Sequence, residues 1–222
     1  MHFLVDTNQR PLIYIFFVIF FLTIVLACQF FKLPYSSGEI IFADDFSTPN
    51  ENWDIWVKSN QSTVSFFEGG LIMMVSKPNL DIITTNRVSY SEMLIQTTAR
   101  KRLGTNDNIY GIVCRYLNDR NYYGFLISSD GYYGIVKVVE GEYKLLSSED
   151  MEFDESIHQG REENSIFAKC EGNTLTLSIN GVEKISVVDE DLTTGKSGLI
   201  TGSFSEADET AVLFDDFIVM VP

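Results

Sequence analysis

The chain has 222 residues, and 31 acidic against 16 basic side chains give it a net charge of −15. Such a surface repels phosphates, so the composition argues against nucleic-acid binding. Hydrophobic residues make up 45% of the chain. With an apolar N-terminus set aside, roughly 190 residues remain, a size typical of one all-β domain.

The N-terminal residues 1–31 predict a membrane anchor with a short cytoplasmic tip. The run 12–31 is apolar except for Thr23 and Gln29, and about 20 helical residues cross a hydrocarbon core of roughly 30 Å. Val-Leu-Ala-Cys, ending at Cys28, also resembles a bacterial lipobox, in which the cysteine is lipidated and becomes the new N-terminus. A spanning helix and a cleaved lipoprotein signal both remain open. Both place the following domain outside the cytoplasm, on a membrane.

Residues 32–39 are interpreted as a spacer, and residues 40–222 as one domain. The first part of this domain consists of short runs rich in β-branched and aromatic residues, separated by turn residues. These runs predict strands at 40–46, 64–67, 71–75, 82–85 and 93–99. The side chains of Thr97, Ala99 and Lys101 are expected to share one face of their strand.

The stretch 108–146 predicts an antiparallel meander of three or four strands. Its apolar runs are separated by Asn-Asp, Asp-Gly and Glu-Gly pairs. The pair Asp130-Gly131 tolerates the positive φ that a tight hairpin needs.

The second half of the domain continues the pattern after an interruption. Residues 147–164 are rich in Glu and Asp and carry His158, so we expect a solvated surface loop there. A clear alternation at 174–179 leads into Asn180-Gly181, a strong hairpin signal. Further strands are predicted at 182–188, 198–202 and 212–221. Strand follows strand without an amphipathic helix, which predicts two antiparallel sheets packed face to face.

The order of these motifs resembles the concanavalin A-like jelly-roll superfamily. The resemblance is carried by F-A-D-D-F-S at 42–47 followed by Trp53, G-I-V-C-R-Y at 111–116, N-T-L-T-L-S-I-N-G at 173–181 and F-D-D-F-I-V at 214–219. It implies an all-β, two-sheet antiparallel jelly-roll sandwich after the hydrophobic helix. The superfamily includes lectins, laminin-G-like modules, laminarinase-type glycosidases and proteins resembling keto-disaccharide hydrolases, so the resemblance leaves the function open.

Catalytic motifs are incomplete in this sequence. Laminarinase-type enzymes carry their two carboxyls on one strand as E-x-D-x-x-E, and glycoside hydrolysis needs such a pair. Here the pattern that begins at Glu152 ends on Ile157, and the one that begins at Glu206 ends on Ala211. The only histidines are His2 and His158. These observations favour a protein without catalytic activity.

Exposed aromatic rings are the candidate ligand contacts, because they stack on sugar rings. Neighbours on a strand point to opposite faces, so each Tyr-Tyr pair is expected to place one ring in the core and one outside. The alternative is that all are ordinary sheet residues. The candidates are Trp53, Trp56, Tyr122, Tyr123, Tyr132 and Tyr133.

Asp44 and Asp215 form a candidate calcium site. The resemblance implies that the first and last strands are neighbours, and some relatives hold a structural calcium there. Carboxylates suit this cation, which takes 6–8 oxygen ligands. The alternative is that both are ordinary aspartates of turns and strand ends.

Cys114 and Cys170 are predicted to form a disulfide. Of three cysteines, Cys28 belongs to the anchor, which leaves an even pair in a domain placed outside the cytoplasm. Both lie in predicted strands, at 109–116 and 165–171, and neighbouring strands supply the short Cα separation that a bridge needs. Relatives of this jelly-roll type also carry cysteines at both places. Two separate buried thiols are the alternative.

Together these features predict a membrane-anchored, extracytoplasmic module that binds carbohydrate or another component of the cell envelope and has no catalytic activity. A sugar-processing hydrolase of the keto-disaccharide-hydrolase-like type is the alternative from another class. A purely structural domain is the third.

Overall fold

The computed structural model describes residues 38–58, 62–204 and 209–222. The predicted anchor, with Cys28, lies outside the described residues. Among those residues, no helix is long and apolar enough to cross a membrane.

The described residues are all-β and form two antiparallel sheets. In chain order the strands are β1 (Glu39–Asp44), β2 (Trp56–Lys58), β3 (Ser62–Phe67), β4 (Gly70–Val75), β5 (Leu80–Tyr90), β6 (Met93–Leu103), β7 (Asn108–Asn118), β8 (Asn121–Ile127), β9 (Tyr132–Val139), β10 (Glu142–Leu145), β11 (Glu152–Phe153), β12 (Asn164–Glu171), β13 (Thr174–Ile179), β14 (Val182–Val188), β15 (Gly195–Ser203) and β16 (Thr210–Val221).

Nine of these strands form one sheet, in the order β14-β13-β12-β6-β16-β4-β3-β2, with β1 also paired to β16. The long strand β16 organises this sheet. One of its edges pairs with β6, and the other pairs first with β4 and then with β1. The first and last strands are therefore neighbours, as the jelly-roll resemblance implied.

The other seven strands form the second sheet, in the order β10-β9-β8-β7-β15-β5, with β11 paired to β9. Strands β7 to β10 confirm the predicted meander. At the β8–β9 turn, Gly131 has a φ of 98°, and at the β13–β14 turn Asn180 and Gly181 both have positive φ. Both predicted hairpins are confirmed, because these residues tolerate the left-handed backbone of tight turns.

The main core lies between the two sheets and follows the alternation of the strands. On β13, Leu175, Leu177 and Ile179 are fully buried, and they pack with side chains of the opposite sheet such as Ile112 and Phe125. On β6, the predicted row of Thr97, Ala99 and Lys101 is buried as well. Burial of one face of each sheet supplies the main driving force for this fold.

A disulfide joins Cys114 on β7 to Cys170 on β12, which confirms the predicted pair. The two strands belong to facing sheets and are not neighbours in one sheet, so the expected placement needs correction. The bridge crosses the core, with the two Cα atoms 7.0 Å apart. It therefore ties the two layers of the sandwich together.

The acidic segment 147–164 was predicted as a solvated surface loop, and the structure corrects this in part. Its two residues Glu152 and Phe153 pair with β9 as the short strand β11. Ile157 inserts into the core and is fully buried. The buried Asn164 accepts a hydrogen bond from the backbone N–H of His158. The acidic composition of this segment therefore predicted a solvated loop, whereas in the structure the segment covers one end of the core.

Arg115 covers the opposite end of the core between the two sheets. Its side chain is 1% exposed, and its guanidinium donates to the carbonyl oxygens of Ser91, Gly172 and Leu192 at 2.7–3.1 Å. These carbonyls belong to three different turns, so one cation holds them together. The backbone of Arg115 has a φ of 49°, and Gly195 lies so close to it that a Cβ there would clash.

Candidate functional site

A cleft of about 680 Å³ opens on the outer face of the seven-stranded sheet. One wall comes from the edge strand β5 and the segment around β2. The other comes from the turns β7–β8 and β9–β10. The lining residues are Asp54, Trp56, Ser62, Leu80, Asp81, Ile82, Ile83, Tyr116, Asp119, Arg120, Tyr122, Val138, Gly141 and Tyr143.

The outer face that carries the cleft is apolar at its centre. A second cluster of buried side chains lies there, comprising Ile109, Val113, Tyr122, Leu126, Val136, Val138 and Ile200. Leu145 and Met151 pack on part of this cluster. A Cβ on Gly134 would meet both, which shows how closely the segment after β10 lies over the sheet. The remaining part of the face forms the cleft.

Asp81 reaches the cleft because its cross-strand neighbour is a glycine. Residues Asp81 and Gly202 are paired between β5 and β15. A Cβ on Gly202 would lie 2.1 Å from Oδ1 of Asp81 and 2.8 Å from Ile109. The missing side chain therefore leaves the space in which the carboxyl group of Asp81 lies across the sheet.

The walls of the cleft shift the pKa values of its acidic groups. The carboxyl of Asp81 is open to water at the mouth but surrounded by protein, and this burial raises its pKa to about 6. Burial, followed by the charge of Asp81, raises the pKa of Tyr122 and of Tyr143. Both tyrosines line the cleft together with Asp81, and their hydroxyls stay protonated at neutral pH.

The other acidic groups of the cleft have partners within the protein. Oδ1 of Asp119 accepts the hydroxyl of Tyr116 at 2.6 Å. Burial and this hydrogen bond raise the pKa of Tyr116. Oδ2 of Asp54 accepts the hydroxyl of Thr85 at 3.0 Å.

The six predicted aromatic contacts separate into three groups. Tyr122 and Trp56 line the cleft. Tyr132 is exposed on β9, where its ring packs against Phe153 with a centroid distance of 5.6 Å. It is not part of the cleft lining.

The other three predicted aromatic contacts are buried in the core: Trp53, Tyr123 and Tyr133. The ring of Trp53 packs edge-on against Phe217 at 4.9 Å, and the hydroxyl of Tyr133 donates to Glu152 at 3.0 Å. The structure gives these side chains a role in packing and not in ligand contact. The pair Tyr132/Tyr133 places one ring in and one out, as expected. Tyr122 and Tyr123 also face opposite sides, although both are covered by other residues.

Sequence reasoning missed the cleft residues Asp81, Tyr116, Asp119 and Tyr143. Asp119 belongs to the Asn-Asp pair of the meander, and Tyr116 lies three residues before Asp119, so this turn was a weak sequence signal for the site. No local pattern marks Asp81, because its position depends on a glycine 121 residues later in the chain.

The predicted calcium ligands lie on the neighbouring strands β1 and β16, where hydrogen bonds engage both carboxylate oxygens of Asp44 and one oxygen of Asp215. The carboxylate of Asp44 accepts hydrogen bonds from the backbone of Phe46 and from the side chains of Asn50 and Trp53, all at 2.8–2.9 Å. Oδ1 of Asp215 accepts the N–H of Asp216. Within the described ranges, no group of three or more acidic, histidine or cysteine side chains is arranged to hold a metal. These side chains do not fit a calcium ion as they stand.

The calcium prediction stays a prediction. If calcium binds there, a chelator lowers the melting temperature, and Asp215→Ala removes that sensitivity. Identical melting curves with chelator and with excess calcium would contradict the site.

Comparisons with known proteins show the fold. No family model matches this sequence, and no curated protein matches it. Among solved structures, the chain is similar to the carbohydrate binding module CBM66 from Bacillus subtilis, with a TM-score of 0.61 and 13% identity over 76% of this chain and 95% of that one.

Two enzymes of Bacillus licheniformis are also similar. The GH43 protein BlXynB has a TM-score of 0.62 and 15% identity, over 85% of this chain but only 40% of that protein. A β-glucanase has a TM-score of 0.56 and 11% identity, over 84% of this chain and all of that one. The two-sheet antiparallel sandwich of this chain therefore has the same fold as these structures. Sequence identities of this size are evidence for the fold alone, so the function must be argued from the side chains of the site.

Proposed function

We propose that this protein is a carbohydrate-binding module, and that the glycan lies in the cleft on the outer face of the seven-stranded sheet. The observation that carries the proposal is the cleft itself. Aromatic side chains from Trp56, Tyr116, Tyr122 and Tyr143 line it beside carboxylates and an arginine. Sugars are bound by this combination, because their C–H faces pack on aromatic rings while their hydroxyls need hydrogen-bond partners.

The structural neighbours support the same class of function. One is a carbohydrate binding module that this chain matches over nearly all of that module's length. Others are glycoside hydrolases with the same sandwich. One fold supports both binding and hydrolysis, so the side chains of the cleft must distinguish them.

Those side chains favour binding without catalysis. The centre of the outer face is apolar and carries Val113, Leu126 and Val136. Of the incomplete E-x-D-x-x-E motif, Glu152 accepts the hydroxyl of Tyr133, and Asp154 forms an ion pair with Lys184 at 3.0 Å. These acidic groups serve the structure of the β9–β11 edge.

A sugar-processing hydrolase is the second candidate, and one observation favours it. Asp81, with its pKa raised to about 6, shares the cleft with Asp54 and Asp119. A raised carboxyl pKa is what a general acid needs near neutral pH.

A glycan array with the full-length chain, purified in a mild detergent, tests the proposal. We expect binding to a subset of glycans, and loss of that binding in Tyr143→Ala, because the ring of Tyr143 lines the cleft and is exposed. An assay for reducing-sugar release with the bound glycans should show no turnover. Turnover that Asp81→Asn abolishes would establish the hydrolase instead. Absence of binding to any glycan would favour a purely structural domain.

We further propose that the domain is held outside the cytoplasm by the N-terminal segment. The disulfide supports this placement, because such bonds persist in oxidising compartments. Protease added to intact spheroplasts should remove the domain, and protection of the domain would contradict the orientation. Mass spectrometry of the mature N-terminus separates the two anchors: Cys28 becomes the acylated first residue only if the lipobox works.

A further inference from the structure

The charge of the cleft gives information about its ligand. The lining carries three carboxylates, from Asp54, Asp81 and Asp119, and one cation, Arg120. The guanidinium of Arg120 donates to the carbonyl oxygen of Glu140 and lies beside Gly141. This contact holds the cation at the rim, on the β9–β10 turn. The cleft therefore presents an excess of negative charge to whatever enters it.

Two of the three carboxylates are already engaged. Asp119 accepts the hydroxyl of Tyr116, and Asp54 accepts that of Thr85. Asp81 differs from these two. Within the part of the chain that the structure describes, its carboxylate has neither a hydrogen bond nor an ion pair. An acidic group in such a place lacks the partner that would stabilise its charge.

The surroundings of Asp81 suit a small cation. Its carboxyl lies in the space left by Gly202, close to Ile109, and it lines the same cleft as Tyr122 and Tyr143. Aromatic faces attract cations, and a carboxylate forms its strongest hydrogen bonds with charged donors. An anionic glycan would instead meet uncompensated like charge.

We propose that the cleft binds a glycan that carries a free, protonated amine, and that Asp81 pairs with the ammonium group. The inference rests on the proposed carbohydrate-binding function and adds the class of sugar, an amino sugar that is not acetylated. It also predicts discrimination against uronic-acid glycans.

Titration calorimetry of the full-length chain in detergent tests this with three oligosaccharides. They are the hexamers of glucosamine, of N-acetylglucosamine and of galacturonic acid. We expect the glucosamine hexamer to bind more tightly than the N-acetylated one by on the order of tenfold, the effect of one charge-assisted hydrogen bond. The galacturonic acid hexamer should not bind. Raising the salt concentration should reduce the preference, because charge pairs open to solvent are screened.

Two variants assign the preference to Asp81. Asp81→Asn keeps the shape and removes the charge, so it should bring the two glucosamine-type hexamers to within about twofold of each other. Asp107→Asn is the matched control, since Asp107 is an exposed carboxylate outside the cleft, and it should keep the wild-type preference. Melting temperatures of both variants check that each is folded.

The outcomes distinguish the inference from the proposed function. Equal or tighter binding of the N-acetylated hexamer would overturn the amino-sugar inference and leave carbohydrate binding in place. A preference for glucosamine that persists in Asp81→Asn would overturn the role of Asp81. Failure of all three hexamers to bind would count against both.

Discussion

Tyr122 and Tyr123 are consecutive residues of β8, and they show how the two faces of the seven-stranded sheet differ. Tyr123 points into the core, where its hydroxyl donates to Asp189 at 2.5 Å and accepts the N–H of Leu192 at 3.1 Å. Tyr122 points to the outer face, where its ring packs near Tyr116. In the described part of the chain, nothing in the protein hydrogen-bonds its hydroxyl. Polar groups on the inner face form hydrogen bonds that stabilise the fold. Some polar groups on the outer face have no partner in the protein and are available to a ligand.

The comparison predicts that substitutions on the inner side change stability and that substitutions in the cleft change binding. The largest effect is expected at Arg115. Arg115→Met removes a buried cation and leaves three turns without a shared donor, so we expect a loss on the order of 5 kcal/mol of unfolding free energy. Urea unfolding measures it. Arg87→Met, at an exposed position on β5, is the control and should change stability by less than about 0.5 kcal/mol.

Removing the disulfide comes next. The bridge closes a loop of 56 residues, and in the chain-entropy model such a loop stabilises the fold by about 4 kcal/mol. The double variant Cys114→Ala/Cys170→Ala should lose that amount in denaturant unfolding. Because the bridge lies in the core, glycan affinity of the folded fraction should stay unchanged. A large change in affinity without a change in stability would contradict the division between the faces.

Much of the fold was predictable because it is encoded locally. Asn180-Gly181 and Asp130-Gly131 form hairpins through their own backbone preferences, and the alternation of 174–179 identifies one buried face. The contacts between segments distant in sequence were harder to predict. The cysteine pair could be predicted by elimination, but nothing local showed that the two strands lie in opposite sheets.

The candidate site was harder to predict, because residue type does not reveal a partner. Trp53 was a candidate for sugar stacking and Asp44 a candidate for calcium, yet in the structure they bind each other: the indole N–H donates to the carboxylate at 2.9 Å. The alternation of Tyr122 and Tyr123 was predictable, whereas the cover over each ring was not. Asp81 entered the site only through its pairing with Gly202.

The tyrosine pair offers a matched test with a smaller effect. Tyr123→Phe removes the hydrogen bonds of this hydroxyl with Asp189 and with the N–H of Leu192, while Asp189 keeps its ion pair with Lys137. We therefore expect a loss of about 1–2 kcal/mol of stability and no change in glycan binding. Tyr122→Phe should leave stability within about 0.5 kcal/mol of wild type and weaken binding. Thermal unfolding and calorimetric titration, run on both variants, measure the two effects. Equal losses of stability would contradict the difference between the faces.

The smallest expected effect concerns the charge of Asp81 in the absence of a ligand. Burial raises its pKa from 3.8 to about 6 in the folded protein. Between these two pH values the folded state binds more protons than the unfolded state, so this group makes the unfolding free energy fall as the pH rises. Asp81→Asn removes that loss and should therefore stabilise the protein near neutral pH. The gain should be at most about 1 kcal/mol, because the carboxyl is open to water and its charge is partly screened.

The pH dependence of the gain separates this mechanism from a simple improvement in packing. Melting temperatures of wild type and Asp81→Asn should differ at about pH 8 and converge at about pH 3, below the unfolded-state pKa of 3.8, where the carboxyl is protonated in both states. Asp107→Asn should show no such dependence, since Asp107 is exposed and outside the cleft. A stabilisation of equal size at both pH values would mean that the amide packs better. A destabilisation near neutral pH would show that Asp81 already has a cationic partner in the protein. Its charge would then not be available to a ligand, and the carboxyl of Asp81 on the outer face would have a partner within the protein, as the polar groups of the inner face do.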